Sequence, residues 1–106
     1  MSDPDNGFKL RVIEIVKSIP AGRVMTYGQI AAICGNARSA RIVGGIAHYG
    51  DQSLPWHRVV NKSGVLALGY PGGRAAHAAM LRAEGLEVDE NYKINISDAI
   101  WNPQNN

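Results

Sequence analysis

The sequence predicts a small single-domain α/β protein with a motif of the helix-turn-helix or winged-helix type and a short β-hairpin. Two observations support this fold class. Two short helix patterns are separated by only a few residues, and an apolar strand pattern returns on itself after the turn Lys62-Ser63-Gly64. The length of 106 residues is close to the common size of one domain. We therefore treat residues 1–106 as one unit.

The first two helices have clear sequence signals. Apolar residues recur at helical spacing and predict an amphipathic helix over about residues 6–18. Thr26 and Gln29 have the spacing of a capping box, which starts a second helix at Tyr27. Gly35 is expected to end that helix.

A third helix carries a basic stripe. Ser39 is its expected N-cap, and it runs to about His48. Arg41, Gly45 and His48 fall on one face of it, and Arg38 lies just before its start. Each of the two adjacent glycines inside this helix costs about 1 kcal/mol relative to alanine. Close approach of another backbone or of a nucleic acid is the natural compensation.

The second half of the chain predicts a hairpin, a loop and a final helix. Trp56 to Asn61 is expected to be a strand that pairs with Val65 to Leu68. A glycine-rich loop at 69–73 precedes a helix over about Arg74 to Ala83. The polar tail over residues 87–106 contains a few apolar anchors, and the sequence leaves open whether it packs on the body.

Charge is concentrated in the middle of the chain. The net charge is only +2, but from Ile15 to Ala83 eight basic residues oppose a single acidic one, Asp51. A basic body with acidic ends suits a polyanionic partner such as DNA. An ordinary solvated surface would show the same count.

Composition excludes several other classes. Cys34 is the single cysteine, so an internal disulfide framework is excluded. No secretory signal pattern and no apolar run of membrane-spanning length is present. We expect no membrane association, no metal and no cofactor. The expected location is cytoplasmic or nucleoid-associated, or nuclear in a eukaryote, and the expected state is a monomer.

Four segments together match one known pattern, and their order and spacing make the match specific. They are residues 24–31 (VMTYGQIA), 40–45 (ARIVGG), 55–60 (PWHRVV) and 69–85, which run from Gly69-Tyr70 to Glu84-Gly85. This set resembles the DNA-binding domain of the alkylguanine-DNA alkyltransferases. The resemblance covers about Phe8 to Leu86.

One departure from that family changes the expected function. The transferases carry a nucleophilic cysteine between the proline and the histidine of the third segment, where this chain has Trp56. An indole has no atom that accepts an alkyl group by displacement, whereas a thiolate does. The chain is therefore similar to the alkyltransferase-like proteins. The resemblance implies a non-enzymatic protein that binds O6-alkylguanine in duplex DNA from the minor groove, flips the nucleotide, and passes the lesion to nucleotide excision repair proteins.

The resemblance assigns roles residue by residue. The lesion pocket is expected to contain Trp56, Tyr27, Tyr70, Pro71 and Val59. The DNA-binding residues are expected to be Arg41, Tyr27, Arg38, Ser39 and Gly45. Arg41 matches the arginine that fills the space left by the flipped base, and Tyr27 matches the tyrosine that crowds the neighbouring phosphate. His57 and Glu84 match the pair that activates the cysteine in the family, and here we expect them to have only a structural role.

Pro71 departs from the family as well. It lies where the family loop offers a backbone N–H to the oxygen at position 6 of guanine, and proline has no such donor. The family's hinge asparagine also has no clear counterpart, and the short loop before Pro55 is compatible with a wider pocket. The preferred alkyl group is therefore open.

Other interpretations stay open at this point. Trp56 and Tyr27 are also suited to core packing. An enzyme that uses Cys34 or His57 is one rival class, although a cysteine among apolar residues is usually an inert small hydrophobe. A winged-helix regulator or architectural protein without lesion preference is the other.

Overall fold

A computed structural model describes residues 4–36, 38–66 and 69–103 of the chain. The elements, in order, are α1 (Pro4–Ser18), β1 (Met25–Thr26), α2 (Tyr27–Ile33), α3 (Ala40–Tyr49), a 3₁₀ helix (Trp56–Arg58), β2 (Val59–Val60), α4 (Gly73–Ala83) and α5 (Ile96–Ala99). The predicted class of a small α/β domain is confirmed, and helices make up most of it. Within these ranges, no helix is long and apolar enough to cross a membrane.

The helix-turn-helix pair forms where the sequence predicts it. The Thr26 hydroxyl accepts a hydrogen bond from the Gln29 N–H at 3.0 Å, and the Gln29 side chain accepts one from the Thr26 N–H at 3.2 Å. These two bonds complete the capping box and start α2 at Tyr27. Ser39 is the N-cap of α3 as predicted, but its side chain makes no capping hydrogen bond.

The predicted hairpin is wrong in its pairing. β2 pairs with β1 in parallel, with Met25 opposite Val59 and Thr26 opposite Val60, and the first residues of the predicted strand form the 3₁₀ helix. The predicted turn does form, since the Gly64 N–H donates to the Asn61 carbonyl at 2.9 Å. Of the predicted return strand, Ala67 and Leu68 lie outside the described residues.

The chain after that turn pairs with the tail instead. The Leu66 N–H donates to the Tyr92 carbonyl at 2.9 Å, and the Ile94 N–H donates to the Gly64 carbonyl at 3.0 Å. Gly64 has a φ of +86°, and a Cβ there would lie 2.3 Å from the Ile94 carbonyl oxygen. The contact at Gly64 requires a residue without a side chain, and it directs the return segment away from β2.

The tail packs on the body as far as it is described. The Val24 N–H donates to the Ala99 carbonyl at 3.0 Å, and the Trp101 N–H donates to the Val24 carbonyl at 2.8 Å. Val88 and Ile94 are buried with α4 in one apolar cluster. The question that the sequence leaves open is thus answered for residues 87–103.

A second apolar cluster joins α1, α2, α3 and the 3₁₀ helix. Its members are Phe8, Val12, Val16, Ile19, Met25, Ile30, Ala31, Cys34, Val43, Trp56 and Val59. It packs one face of α1 against the helix pair and places Trp56 at its edge, where α2 and α3 meet the loop that precedes α4.

Candidate nucleic-acid interface

A cavity of about 630 Å³ opens between the start of α2, one face of α3, the 3₁₀ helix and the loop before α4. Its walls are mainly apolar, and their polar groups belong to a few side chains. The lining residues are Tyr27, Ala40, Arg41, Gly44, Ala47, His48, Gln52, Trp56, Asn61, Gly69, Tyr70 and Pro71. A volume of this size lies within the range of about 300–1,000 Å³ that is usual for small-molecule sites.

Four of the five residues expected in the pocket line this cavity: Tyr27, Trp56, Tyr70 and Pro71. Val59 does not. Its side chain has no solvent exposure and is packed in the core as part of β2. The assignment of Val59 to the pocket is therefore corrected, because strand pairing places its side chain behind the wall.

Trp56 belongs to the core and to the cavity wall at once. Its side chain is only 5% exposed. The indole N–H donates to the Asp51 carbonyl at 3.1 Å, which uses the only donor that the side chain has. Trp56 therefore offers the cavity an apolar ring surface in a fixed orientation.

The two tyrosines of the wall are held in their neutral form. Burial raises the pKa of Tyr27 and that of Tyr70 above the ordinary value. Each hydroxyl is therefore a hydrogen-bond donor and acceptor at neutral pH. Tyr27 is the first residue of α2, so its position depends directly on the capping box.

The α3 face toward the cavity differs by one glycine from the predicted stripe. Arg41, Gly44 and His48 line the cavity, whereas Gly45 lines a separate shallow groove beside Ile42. Gly44 rather than Gly45 therefore adjoins the cavity, and a DNA contact at Gly45 stays a prediction.

The two residues before α3 differ in accessibility. Arg38 is exposed, while Ser39 is 6% exposed and presents little surface to a partner. Only the first of them has a side chain that reaches solvent.

Neither glycine of α3 is required by packing within the protein. A Cβ added at Gly44 or Gly45 would meet no atom within 4 Å in the described structure. The helix accepts the cost of about 1 kcal/mol per glycine without an internal gain. At Gly44 the open space adjoins the cavity and Arg41, as expected for a surface that another molecule approaches closely.

Most of the basic side chains in the central region have a hydrogen-bond or ion-pair partner within the protein. Five of the eight basic residues between Ile15 and Ala83 have a carboxylate or a backbone carbonyl as partner: Lys17, Arg23, Arg58, Arg74 and Arg82. The side chains of Arg38, Arg41 and Lys62 are exposed and make no hydrogen bond or ion pair with the described residues. The sequence count therefore overstates the number of basic side chains that are free to contact phosphate, and about three phosphate contacts are expected.

Behind the wall lies a half-buried polar network centred on Glu84. His57 Nε2–H donates to Glu84 Oε2 at 2.8 Å, and Arg58 binds the same carboxylate through Nε and Nη2 at 2.6 to 3.1 Å. The Gly22 N–H donates to Oε1 at 3.0 Å. Burial alone would raise the pKa of Glu84, but the hydrogen bonds from Arg58, His57 and Gly22 lower it to about 2.

The resemblance pairs His57 with Glu84 but gives no role to Arg58, which is the stronger partner of the carboxylate. The sequence shows Arg58 only as one of the central basic residues. Its position directly after His57 and just before a buried strand is the signal that it belongs inside. Gln52 and Asn61, which also line the cavity, had no distinguishing signal.

Cys34 lies away from this site. It is 3% exposed at the end of α2, and burial raises the pKa of its thiol, against a smaller opposing effect of Arg11. It does not line the cavity. Within the described residues, no group of three or more His, Cys, Asp or Glu side chains is placed to hold a metal ion.

This combination of a helix-turn-helix pair, a nucleotide-sized cavity and an exposed arginine at the cavity mouth defines a class of small DNA-binding domain. The chain belongs to the family of the 6-O-methylguanine DNA methyltransferase DNA-binding domain, whose model matches residues 7–86. The resemblance that the four sequence segments indicate is thus confirmed.

Relatives match almost the whole chain. A DNA base-flipping protein of Escherichia coli is 39% identical over 102 residues, which cover 94% of this chain and 78% of that protein. Alkyltransferase-like protein 1 of Schizosaccharomyces pombe is 34% identical over 103 residues, which cover 91% and 95%.

Solved structures agree with these sequence matches. The S. pombe alkyltransferase-like protein in complex with damaged DNA that contains O6-carboxymethylguanine has a TM-score of 0.85 at 32% identity, covering 97% of this chain and 100% of that one. An O6-methylguanine methyltransferase of Mycobacterium tuberculosis has a TM-score of 0.64 at 34% identity, and the match covers 79% of this chain but only 50% of that enzyme.

Because of the Glu84 network, the stability of the protein is expected to fall at acid pH. The carboxyl group has an ordinary pKa of 4.5 and a folded-state pKa of about 2. Its contribution to the free energy of unfolding is therefore complete above about pH 4.5 and is lost as the pH falls toward 2. We expect the thermal unfolding temperature to fall through this window. Glu84→Gln should unfold at lower temperature near pH 7 and depend less on pH below 4.5.

The matched control is Glu87→Gln, which removes an exposed carboxylate three residues away. Scanning calorimetry between pH 2 and pH 7 should show the wild-type acid dependence for this variant. If Glu84→Gln kept the full acid dependence of the wild type, other carboxyl groups would be responsible for it.

Proposed function

We propose that this protein binds duplex DNA containing a guanine alkylated at O6, rotates that nucleotide into the cavity, and leaves the alkyl group in place. The observation that carries the proposal is Trp56. By the resemblance of the segment PWHRVV it takes the position of the family's nucleophilic cysteine, and it forms part of the cavity wall, directly before the His57–Glu84 pair.

The DNA-facing surface is the start of α3. Arg41 is exposed at the cavity mouth, Arg38 lies one turn before it, and Gly44 leaves room for a backbone or a base to approach. Such an arginine can enter the minor groove and occupy the gap that a flipped nucleotide leaves. Tyr27 also lines the cavity, and by the resemblance it would crowd the phosphate beside that nucleotide.

The cavity suits an extruded base. Flipping costs a few kcal/mol of stacking and pairing, and a lesion that weakens the base pair lowers this cost. Contact with the rings of Trp56 and Tyr70 supplies roughly 1–3 kcal/mol per stacked base. Pro71 offers no N–H, so its backbone cannot donate to the oxygen at position 6 of guanine.

Among the described residues of the wall there is no cysteine that could accept the alkyl group. Alkyl transfer needs a group such as a thiolate within reach of the alkyl carbon. Cys34 is buried elsewhere, and the indole N–H of Trp56 is committed to Asp51. The role of the His57–Glu84 pair is then structural. It fastens the segment that contains Trp56 to the C-terminal end of α4.

A protein that only holds a lesion must pass it to proteins that remove it. The resemblance to alkyltransferase-like proteins implies that these are nucleotide excision repair proteins, and that this chain acts as a monomer where cellular DNA is found. The competing function is a DNA-binding regulator without lesion preference, which would not need a cavity walled by aromatic rings.

The direct test compares duplexes that differ in one O6-methylguanine. We expect tighter binding of the alkylated duplex, recovery of that duplex unchanged after incubation, and no added mass on the protein. Fluorescence anisotropy measures the affinities, and mass spectrometry examines the protein and the DNA. Equal affinity for both duplexes would favour the regulator, while a mass increase of the protein would make it an enzyme.

Trp56 and Arg41 have separable roles in this proposal. Trp56→Leu removes the ring but keeps apolar volume, so it should lower the preference for the alkylated duplex between about fivefold and about a hundredfold. Arg41→Ala should weaken binding to both duplexes, and the alkylated one more. The matched control is Arg82→Ala, since Arg82 donates to the Val88 carbonyl and does not line the cavity. Equal losses of Trp56→Leu on both duplexes would assign Trp56 to core packing alone.

Gly44 is expected to lower the stability of the protein while allowing DNA to approach α3 closely. Gly44→Ala should raise the free energy of unfolding by about 0.5–1 kcal/mol, because the added Cβ meets open space and alanine favours a helix. The same change should weaken DNA binding by blocking close approach. Gly45→Ala is the matched control, since it should stabilise equally but affect binding less. Urea unfolding and anisotropy give the two readouts, and unchanged binding by Gly44→Ala would remove this helix face from the interface.

A further inference from the structure

His77 is a buried histidine on α4 that contacts the cavity wall from behind. Its side chain is 1% exposed. Its ring is stacked on the ring of Tyr70, with the centroids 4.4 Å apart and an interplanar angle of 16°. Tyr70 lines the cavity and His77 does not.

A hydrogen bond holds the histidine ring in one orientation. His77 Nε2 lies 2.8 Å from the carbonyl oxygen of His57. A carbonyl oxygen only accepts, so the proton is on Nε2. Burial lowers the pKa of His77, which keeps the ring neutral and leaves Nδ1 without a proton. Nδ1 has no hydrogen-bond partner among the described residues.

Histidine satisfies two separate requirements at position 77. A flat ring is needed for the stack on Tyr70, and an N–H is needed for the His57 carbonyl. Phenylalanine meets only the first demand and glutamine only the second. An unpaired buried nitrogen costs stability, so a side chain chosen for packing alone would be a better core residue.

The other features of this loop act on its backbone, whereas the Tyr70 side chain is held by its stack on His77. The Gly73 N–H donates to the Tyr70 carbonyl at 2.7 Å, and Gly72 and Gly73 have φ values of +87° and +84°. A Cβ at Gly72 would lie 2.8 Å from the Cβ of Ala76. These features set the path of the backbone, while the ring of His77 sets the plane of Tyr70.

We propose that His77 is a positioning residue of the lesion pocket, because it holds the Tyr70 ring in the plane that an extruded base meets. Its hydrogen bond to the His57 carbonyl ties that plane to the segment that carries Trp56. The two aromatic walls are thereby held in one arrangement before DNA arrives, and less ordering is needed on binding. This inference rests on the proposed function, since it assigns Tyr70 to the pocket.

Three substitutions separate the ring from the hydrogen bond. His77→Phe keeps the ring, His77→Gln keeps a donor, and His77→Leu keeps neither. We expect the preference for alkylated over plain duplex to fall between about twofold and about tenfold in His77→Leu and His77→Gln, the range that one aromatic pair contributes. His77→Phe should retain most of the preference, and affinity for the plain duplex should be similar in all three.

A spectroscopic readout tests the stack in the free protein. The ring current of His77 should displace the ring-proton resonances of Tyr70, and this displacement should persist in His77→Phe and vanish in His77→Gln. In a Tyr70→Ala background, none of the His77 substitutions should lower the preference further, because the residue through which His77 acts is gone.

Val88→Ala is the stability control, since Val88 is buried against α4 without lining the cavity. It should lower the unfolding temperature and leave the preference unchanged. The proposal is overturned if His77→Gln keeps the preference for the alkylated duplex while His77→Phe loses it. It is also overturned if neither substitution lowers this preference although Tyr70→Ala lowers it. If His77→Leu does not fold, the binding preference of His77→Gln by itself tests the proposal. A wild-type protein without any preference would instead remove the proposed function itself.

Discussion

The carboxylate of Glu84 joins three parts of the chain that are far apart in sequence. It accepts hydrogen bonds from the 3₁₀ helix through His57 and Arg58, and from the turn after α1 through Gly22. Arg58 also donates to the Ile19 carbonyl at 2.9 Å, which adds the end of α1. This half-buried carboxylate stays charged because His57, Arg58 and Gly22 all donate to it.

The position of the cavity depends on this network. Trp56 precedes His57 in the same short helix, so the ion pair behind the wall also fixes the wall. The same His57 accepts the hydrogen bond from His77, whose ring supports Tyr70. Loss of the Glu84 charge would therefore disturb both aromatic sides of the cavity together.

Charge is used in two ways on this small domain. Arg74 and Arg82 donate to the Leu66 and Val88 carbonyls, and Arg23 shares the Ala99 carbonyl with the Val24 N–H. These arginines therefore hold loops and the tail in place. Buried or half-buried carbonyls need such partners. Arg38 and Arg41 are left facing solvent beside the cavity. A count of basic residues in the sequence does not separate these two groups, because the separation depends on which carbonyls the fold leaves unpaired.

Local interactions were predicted well from sequence. The capping box of Thr26 and Gln29 is satisfied within four residues, and the glycine at 85 ends α4 in the left-handed conformation with a φ of +91°. The sequence by itself determined these helix ends, the family, and the proximity of Trp56, Tyr27 and Tyr70. Only the tertiary structure decided the parallel pairing of β2 with β1, the burial of Val59, the partner of Arg58 and the stack of His77 on Tyr70. Each of these depends on a contact between segments distant in the chain, and the residue pattern of one segment does not specify which other segment it will meet.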